Sequence, residues 1–194
     1  MAELRSGLPI VSFADPIAWK GWLAKQPSDS NGAWVRFRKK GSSVASVTKA
    51  QAIDGALCYG WIDGQLDKYD AESWLVRFTP RRPRSKWSEV NRKRALELIS
   101  AGRMQASGQL EIDKAKADGR WEAAYASASK AEVPPDLQNA LDANPKAAAF
   151  FATLTGANRY AILYRIGAVK KAETRVRKIG DFVGMLERGE TVHG

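Results

Sequence analysis

With 194 residues, 44% hydrophobic and 27% charged, the chain is long enough for one ordinary domain or a domain with a helical appendage, and its composition excludes global disorder. One cysteine and one histidine exclude an internal disulfide and the common zinc sites. The net charge of +10 is concentrated: residues 71–103 hold nine basic and three acidic side chains and residues 165–188 hold seven and three, which together make up the whole excess. Charge gathered in this way steers and holds anions.

The opening MAELRSGLPIVSFADPIAW has no sustained apolar region ahead of a cleavage site. No later run approaches the ~20 apolar residues that cross a bilayer. A reducing cytoplasm without membrane insertion is the expected setting. Asp15-Pro16 is a helix cap followed by proline at the first helical position, with Trp19, Trp22 and Leu23 on an apolar face. Residues 27–32 form a polar break. AWVRFRKK (33–40) alternates, with Val35 and Phe37 on one side and Arg36 and Arg38 on the other, as in a half-buried strand. Thr48 and Gln51 make a capping box for a helix carrying Ile53, Ala56 and Leu57, which stops near Gly60. Two strands follow, 61–69 and 73–79, around a turn at Asp70–Glu72.

Helices then take over. Ser88 caps one that runs to about Ser100, and Ser107 opens another ending at Gly119. Pro134-Pro135-Asp136 and Asn144-Pro145 start two more, and a further helix spans about 158–167. The last helix places Val176, Ile179, Val183 and Leu186 at three-to-four spacing. The predicted fold class is α+β: a small, mostly antiparallel sheet with helices, then a helical C-terminal subdomain. All seven tryptophans lie between Trp19 and Trp121. That shift and the Pro-Pro break put the boundary near residues 125–135, dividing the chain into an α+β domain (1–130) and a helical subdomain (131–194).

Two stretches carry candidate chemistry. In LCYGWIDGQ (57–65), period two sets Trp61 and Asp63 on one face of a strand with Ile62 on the other. This is either a carboxylate beside an indole at a pocket mouth, or a core tryptophan with a turn-capping aspartate. Cys58 lies near a helix C-terminus, where the dipole disfavours thiolate, and reads as core. In RFTPRRPRSKWSEVNRKR (77–94), Pro80 and Pro83 hold the segment extended and stiff. Arg81, Arg82 and Arg84 then present guanidinium forks, the preferred partners of phosphate and carboxylate. Ser85 and Ser88 stand at a helix N-terminus, and Trp87 either stacks on a ligand or locks the loop to the core. The alternative is that these arginines only bridge to Asp63, Asp67 or Asp70.

The chain resembles the YdeI/OmpD-associated, or bacteriocin-protection, family in the early W-x-x-W-L (Trp19, Trp22, Leu23), LCYGWIDG (57–64), TPRRPRSKWSEVN (79–91), Gly102–Met104, Ala115-Lys116-x-x-Gly119-x-Trp121 and AETRVRKI (172–179). The resemblance implies a link to outer-membrane porin biology and to tolerance of cationic antimicrobial peptides. It implies no particular reaction, cofactor or metal. The motif positions carried over are Trp61, Asp63, Arg81, Ser85, Trp87 and Asn91, with no catalytic role attached.

Three functions compete. The first is a cytoplasmic binding or accessory protein that holds an anionic small molecule or protein segment between the GWIDG turn and the TPRRPRS loop. It uses Trp61, Asp63, Arg81, Arg82, Arg84, Ser85, Trp87 and Asn91, and predicts that Trp61, Asp63, Arg81 and Trp87 surround one cleft. The second is non-specific nucleic-acid binding, for which a pI near 9.8 and basic segments threaded with aromatics are the footprint, although no helix-turn-helix, RNP-like or zinc-finger motif is present. The third is an enzyme with Asp63 as general acid or base. The sequence sets no oligomeric state.

Overall fold

Alternation along AWVRFR decides the sheet. The computed structural model describes residues 3–127 and 130–193, and the chain divides into two compact units, residues 1–124 and 125–194.

The first unit is built on a five-stranded sheet. Its strands are β1 (Leu4–Arg5), β2 (Leu8–Ser12), β3 (Ala33–Arg38), β4 (Trp61–Lys68) and β5 (Ser73–Pro80), in spatial order β1-β2-β3-β5-β4. Only β2 and β3 run parallel, and helix α1 (Pro16–Leu23) lies between them in the chain. The other pairs are antiparallel. Successive side chains of a strand point to opposite faces. Val35, Phe37, Val76, Phe78 and Trp61 therefore share one face. They are buried there with Trp19 and Leu23 of α1 and with Ala52 and Ala56 of α2 (Lys49–Cys58). Trp19 meets Phe78 edge-on at 5.4 Å and donates its indole N–H to the Ala52 carbonyl (2.9 Å). A buried indole donor with an acceptor avoids the penalty of an unmade hydrogen bond.

The other face of the sheet carries a smaller cluster, Leu8, Trp34 and Leu75, flanked by Ile10 and Tyr69. No helix core covers it among the described residues, and it is dressed with arginine instead.

Beyond β5, α3 (Glu89–Ser100) and α4 (Ala106–Ala117) pack with the end of α2. Leu57, Cys58, Trp87, Ala95, Leu98, Ile112, Ala115 and Trp121 form that core. Ser88 caps α3 by accepting from the Asn91 N–H, and Asp15 and Thr48 cap α1 and α2 as their residue types require. The second unit is all helix: α5 (Pro135–Asp142), α6 (Pro145–Thr153), α7 (Gly156–Gly167) and α8 (Ala172–Glu187) enclose Leu137, Leu141, Phe151, Ile162, Ile166, Ile179, Phe182 and Leu186.

The protein is α+β, with a mostly antiparallel sheet and a helical C-terminal part. Two details depart from the sequence reading. The N-terminal segment forms a hairpin and an inner strand where no element is predicted. On α8, Ile179 and Leu186 are buried and Val183 packs beside them as expected, but Val176 is 71% exposed and Phe182 takes its place in the core.

Candidate functional site

The sheet face away from the helices gathers four arginines. Arg36, Arg38 and Arg77 stand on it by alternation along β3 and β5, and Arg5 joins them across β1 and β2. Three have a dedicated acid. Arg5 pairs with Asp67 (2.5 Å), Arg36 with Asp70 (2.7 Å) and Arg38 with Glu72 (3.7 Å). Aromatic rings back two of them: Arg36 lies 4.4 Å from the Tyr69 ring centre and Arg5 6.0 Å from that of Trp34. The Ser73 hydroxyl, helped by the Glu72 and Ser73 backbone N–H groups and by Arg36, holds the Asp70 carboxyl below the usual carboxylate range.

Arg77 is the exception. Its side chain makes no hydrogen bond or ion pair among the described residues, and it lines a hollow of about 580 Å³. That size suits a small-molecule site. Arg82 lines the hollow too, tied by its Nη2 to the Ser30 carbonyl (3.1 Å) and by its backbone N–H to Ser85 Oγ (2.9 Å). Asp63 and Gly64 of β4 form another wall, and Asn31, Gln65 and Thr79 add hydrogen-bonding groups. Asp63 pairs in register with Phe78 and Leu66 with Val76, so Gly64 and Gln65 together stand opposite Arg77. This bulge breaks the ladder at the wall of the hollow, a place where strands commonly re-aim their groups toward ligands.

The positions chosen from the sequence are distributed over three environments. Asp63 and Arg82 both line the hollow, Asp63 beside the bulge at Gly64 although its register partner is the core residue Phe78. Trp61 does not: it is 4% exposed, on the helix face, edge-on to Trp22 at 5.6 Å. The single cleft expected for Trp61, Asp63, Arg81 and Trp87 is therefore not what these residues make. Alternation sends Trp61 into the core, and Arg81 packs inward with its guanidinium 3.5 Å from the Trp87 ring centre and Nη1 donating to the Lys86 carbonyl (3.1 Å). Trp87 is 2% exposed and edge-on to Trp121 at 4.8 Å, so it locks the loop to the core. Arg84 is exposed, and Ser85 closes the turn, its carbonyl accepting from Arg120 (2.9 Å). The Asn91 backbone serves the α3 cap. Arg77, Thr79 and Asn31 line the hollow without belonging to either sequence motif's predicted site. The alternation of Leu75, Arg77 and Thr79 against Val76 and Phe78 signals their shared face, but nothing local marks Arg77 as the arginine without an acid.

Among the described residues no group of three or more His, Cys, Asp or Glu side chains is placed to hold a metal, and no helix is long and apolar enough to cross a membrane. Residues 11–111 match the family model described as Domain of unknown function (DUF8412), which covers just over half of the 194 residues. The chain belongs to the DUF8412 family. Residues 130–189 match the model described as Bacteriocin-protection, YdeI or OmpD-Associated, so the helical unit carries the resemblance read from AETRVRKI. The LCYGWIDG and TPRRPRSKW motifs, and the strands β4 and β5 that wall the hollow, fall within the DUF8412 match. No curated protein and no solved structure matches the chain.

Proposed function

We propose that the DUF8412 unit is an anion-binding module, and that the chain is a cytoplasmic, non-enzymatic accessory protein in bacteriocin or antimicrobial-peptide tolerance. The observation that carries the reading is Arg77. Its three companions on the sheet face are each paired with an acid of β4 or of the turn that follows it, whereas Arg77 and Arg82 line one hollow with no ion-pair partner on either among the described residues. A negatively charged group there completes a pattern the rest of the face already obeys, and guanidinium gives it paired, directional donors. Asp63 lies in the same wall without a second carboxylate, histidine or cysteine among the hollow's lining residues, which favours a binding role for it over acid–base catalysis. Nucleic acid draws less support from this face, because Arg5, Arg36 and Arg38 are already paired.

The test is thermal unfolding of the full chain with inorganic phosphate from micromolar to tens of millimolar. Phosphate at about ten times its Kd raises Tm by roughly 4 °C. Arg77→Gln abolishes the rise while leaving the anion-free Tm within about a degree, since an exposed arginine without a partner adds little stability. A Tm that ignores phosphate throughout, or an equal rise in Arg77→Gln, overturns the reading.

A further inference from the structure

The hollow has a second chemical character beside its charge. Ile62 pairs with Thr79 and Leu8 stands on the same sheet face, and both line the hollow with Arg77 and Arg82. Leu8 is 8% exposed and Ile62 is half-buried. The space, about 580 Å³, is room for roughly twenty waters at about 30 Å³ each. A tetrahedral oxyanion on the two guanidiniums fills a small share of it and leaves the apolar wall wet. Covering that wall releases its hydration water, and the gain scales with the apolar area removed from water.

Resting on the anion-binding reading above, we propose that the hollow takes an organic anion with an apolar body: a phosphate or carboxylate seated on Arg77 and Arg82, with a small aliphatic or aromatic portion against Leu8 and Ile62. The polar lining orients such a molecule. Thr79 and the amides of Asn31 and Gln65 supply hydrogen bonds around the anionic head, and the bulge at Gly64 and Gln65 brings backbone toward it. A small number of polar groups set among apolar ones is how small-molecule sites combine affinity with orientation.

Titration calorimetry on the full chain with inorganic phosphate, methyl phosphate, propyl phosphate and phenyl phosphate tests this. Affinity rises along the series, and phenyl phosphate binds roughly tenfold more tightly than inorganic phosphate. Ile62→Ser narrows that ratio, and Arg77→Gln removes binding of every member. Should Ile62→Ser not fold, the ligand series on the unaltered chain decides alone. Equal affinity for all four, lost in Arg77→Gln, overturns the apolar body and leaves the anion site standing. No binding by any of them overturns both. A phenyl phosphate advantage that persists undiminished in Arg77→Gln also overturns the proposal, because the compound is then held elsewhere.

Discussion

Cys58 shows how environment, rather than residue type, sets reactivity. It ends α2 at 1% exposure, in the cluster that also holds Leu57, Trp87 and Trp121. Burial pushes its thiol above the ordinary range, and the fields of Lys20 and Arg103 offset this only in part. The thiolate is the nucleophile, so both access and ionisation oppose reaction. A maleimide at pH 8 is expected to label the native chain at least a hundredfold more slowly than the chain in denaturant, followed by mass spectrometry. Labelling at the denatured rate under native conditions contradicts the placement. The same reasoning separates the arginines of TPRRPRS. Arg81 is 6% exposed and stacked on an indole, a structural use of guanidinium, while Arg82 one residue later reaches the hollow. Stiff prolyl geometry sets the segment's path past the end of β5 at Pro80, and stacking on Trp87 takes Arg81 inward.

At the scale of elements, the junction of α2 and α4 depends on missing side chains. Gly60 follows α2 at φ +76°, a conformation that glycine adopts at little cost. A Cβ on Gly108 of α4 lies 2.2 Å from the Cys58 carbonyl oxygen, which also accepts the Gln105 N–H at 3.1 Å. Gly108→Ala thus forces α4 off α2 at a cost of about 1–3 kcal/mol. Gly21→Ala is the control: it sits in α1 with nothing within 4 Å of the added carbon, and replacing a helical glycine there stabilises by about 0.5–1 kcal/mol. Chemical denaturation of the two variants should therefore move in opposite directions, and a neutral Gly108→Ala contradicts the close approach. Helix starts of this kind were legible in advance, because Asp15, Thr48, Ser88 and Asn144 are local signals and each accepts the expected N–H. β1 and β2 were not. LPIVS has Pro9 in its second position, and its partner β3 lies across a helix, so the pairing is non-local. The hollow was half legible for the same reason. Motif chemistry pointed to Asp63 and Arg82, but the supply of acids to three arginines and not to Arg77 is a property of the assembled sheet.

For the whole molecule, the division of the hydrophobic core predicts how it unfolds. The cluster of the helical unit draws every member from residues 131–192, and the other clusters draw theirs from residues 8–124. Among the described residues each unit has its own core, so denaturation is expected to depart from two-state behaviour. The tryptophans make this measurable. All seven lie in the first unit, so tryptophan fluorescence follows that unit, while helical circular dichroism follows both. Asp136 supplies a handle on the second unit alone. Arg175 of α8 grips its carboxylate through Nε and Nη2, holding it below the usual carboxylate range, and Arg175 Nη1 also reaches the Ile166 carbonyl (2.8 Å). A carboxyl with a depressed folded value adds stability that is present above its unfolded value, near ~3.9, and is lost as pH falls through the folded one. Both partners are partly exposed (43% for Asp136 and 24% for Arg175), so the contribution after solvent screening is on the order of 0.5–1 kcal/mol. At pH 7, Asp136→Asn should lower the midpoint of a dichroism phase while the fluorescence midpoint stays in place. As pH falls through the folded value the variant and the parent should converge, because the parent's carboxyl is then protonated as well. Superimposed fluorescence and dichroism transitions, moving together in Asp136→Asn, mean instead that the two units unfold as one.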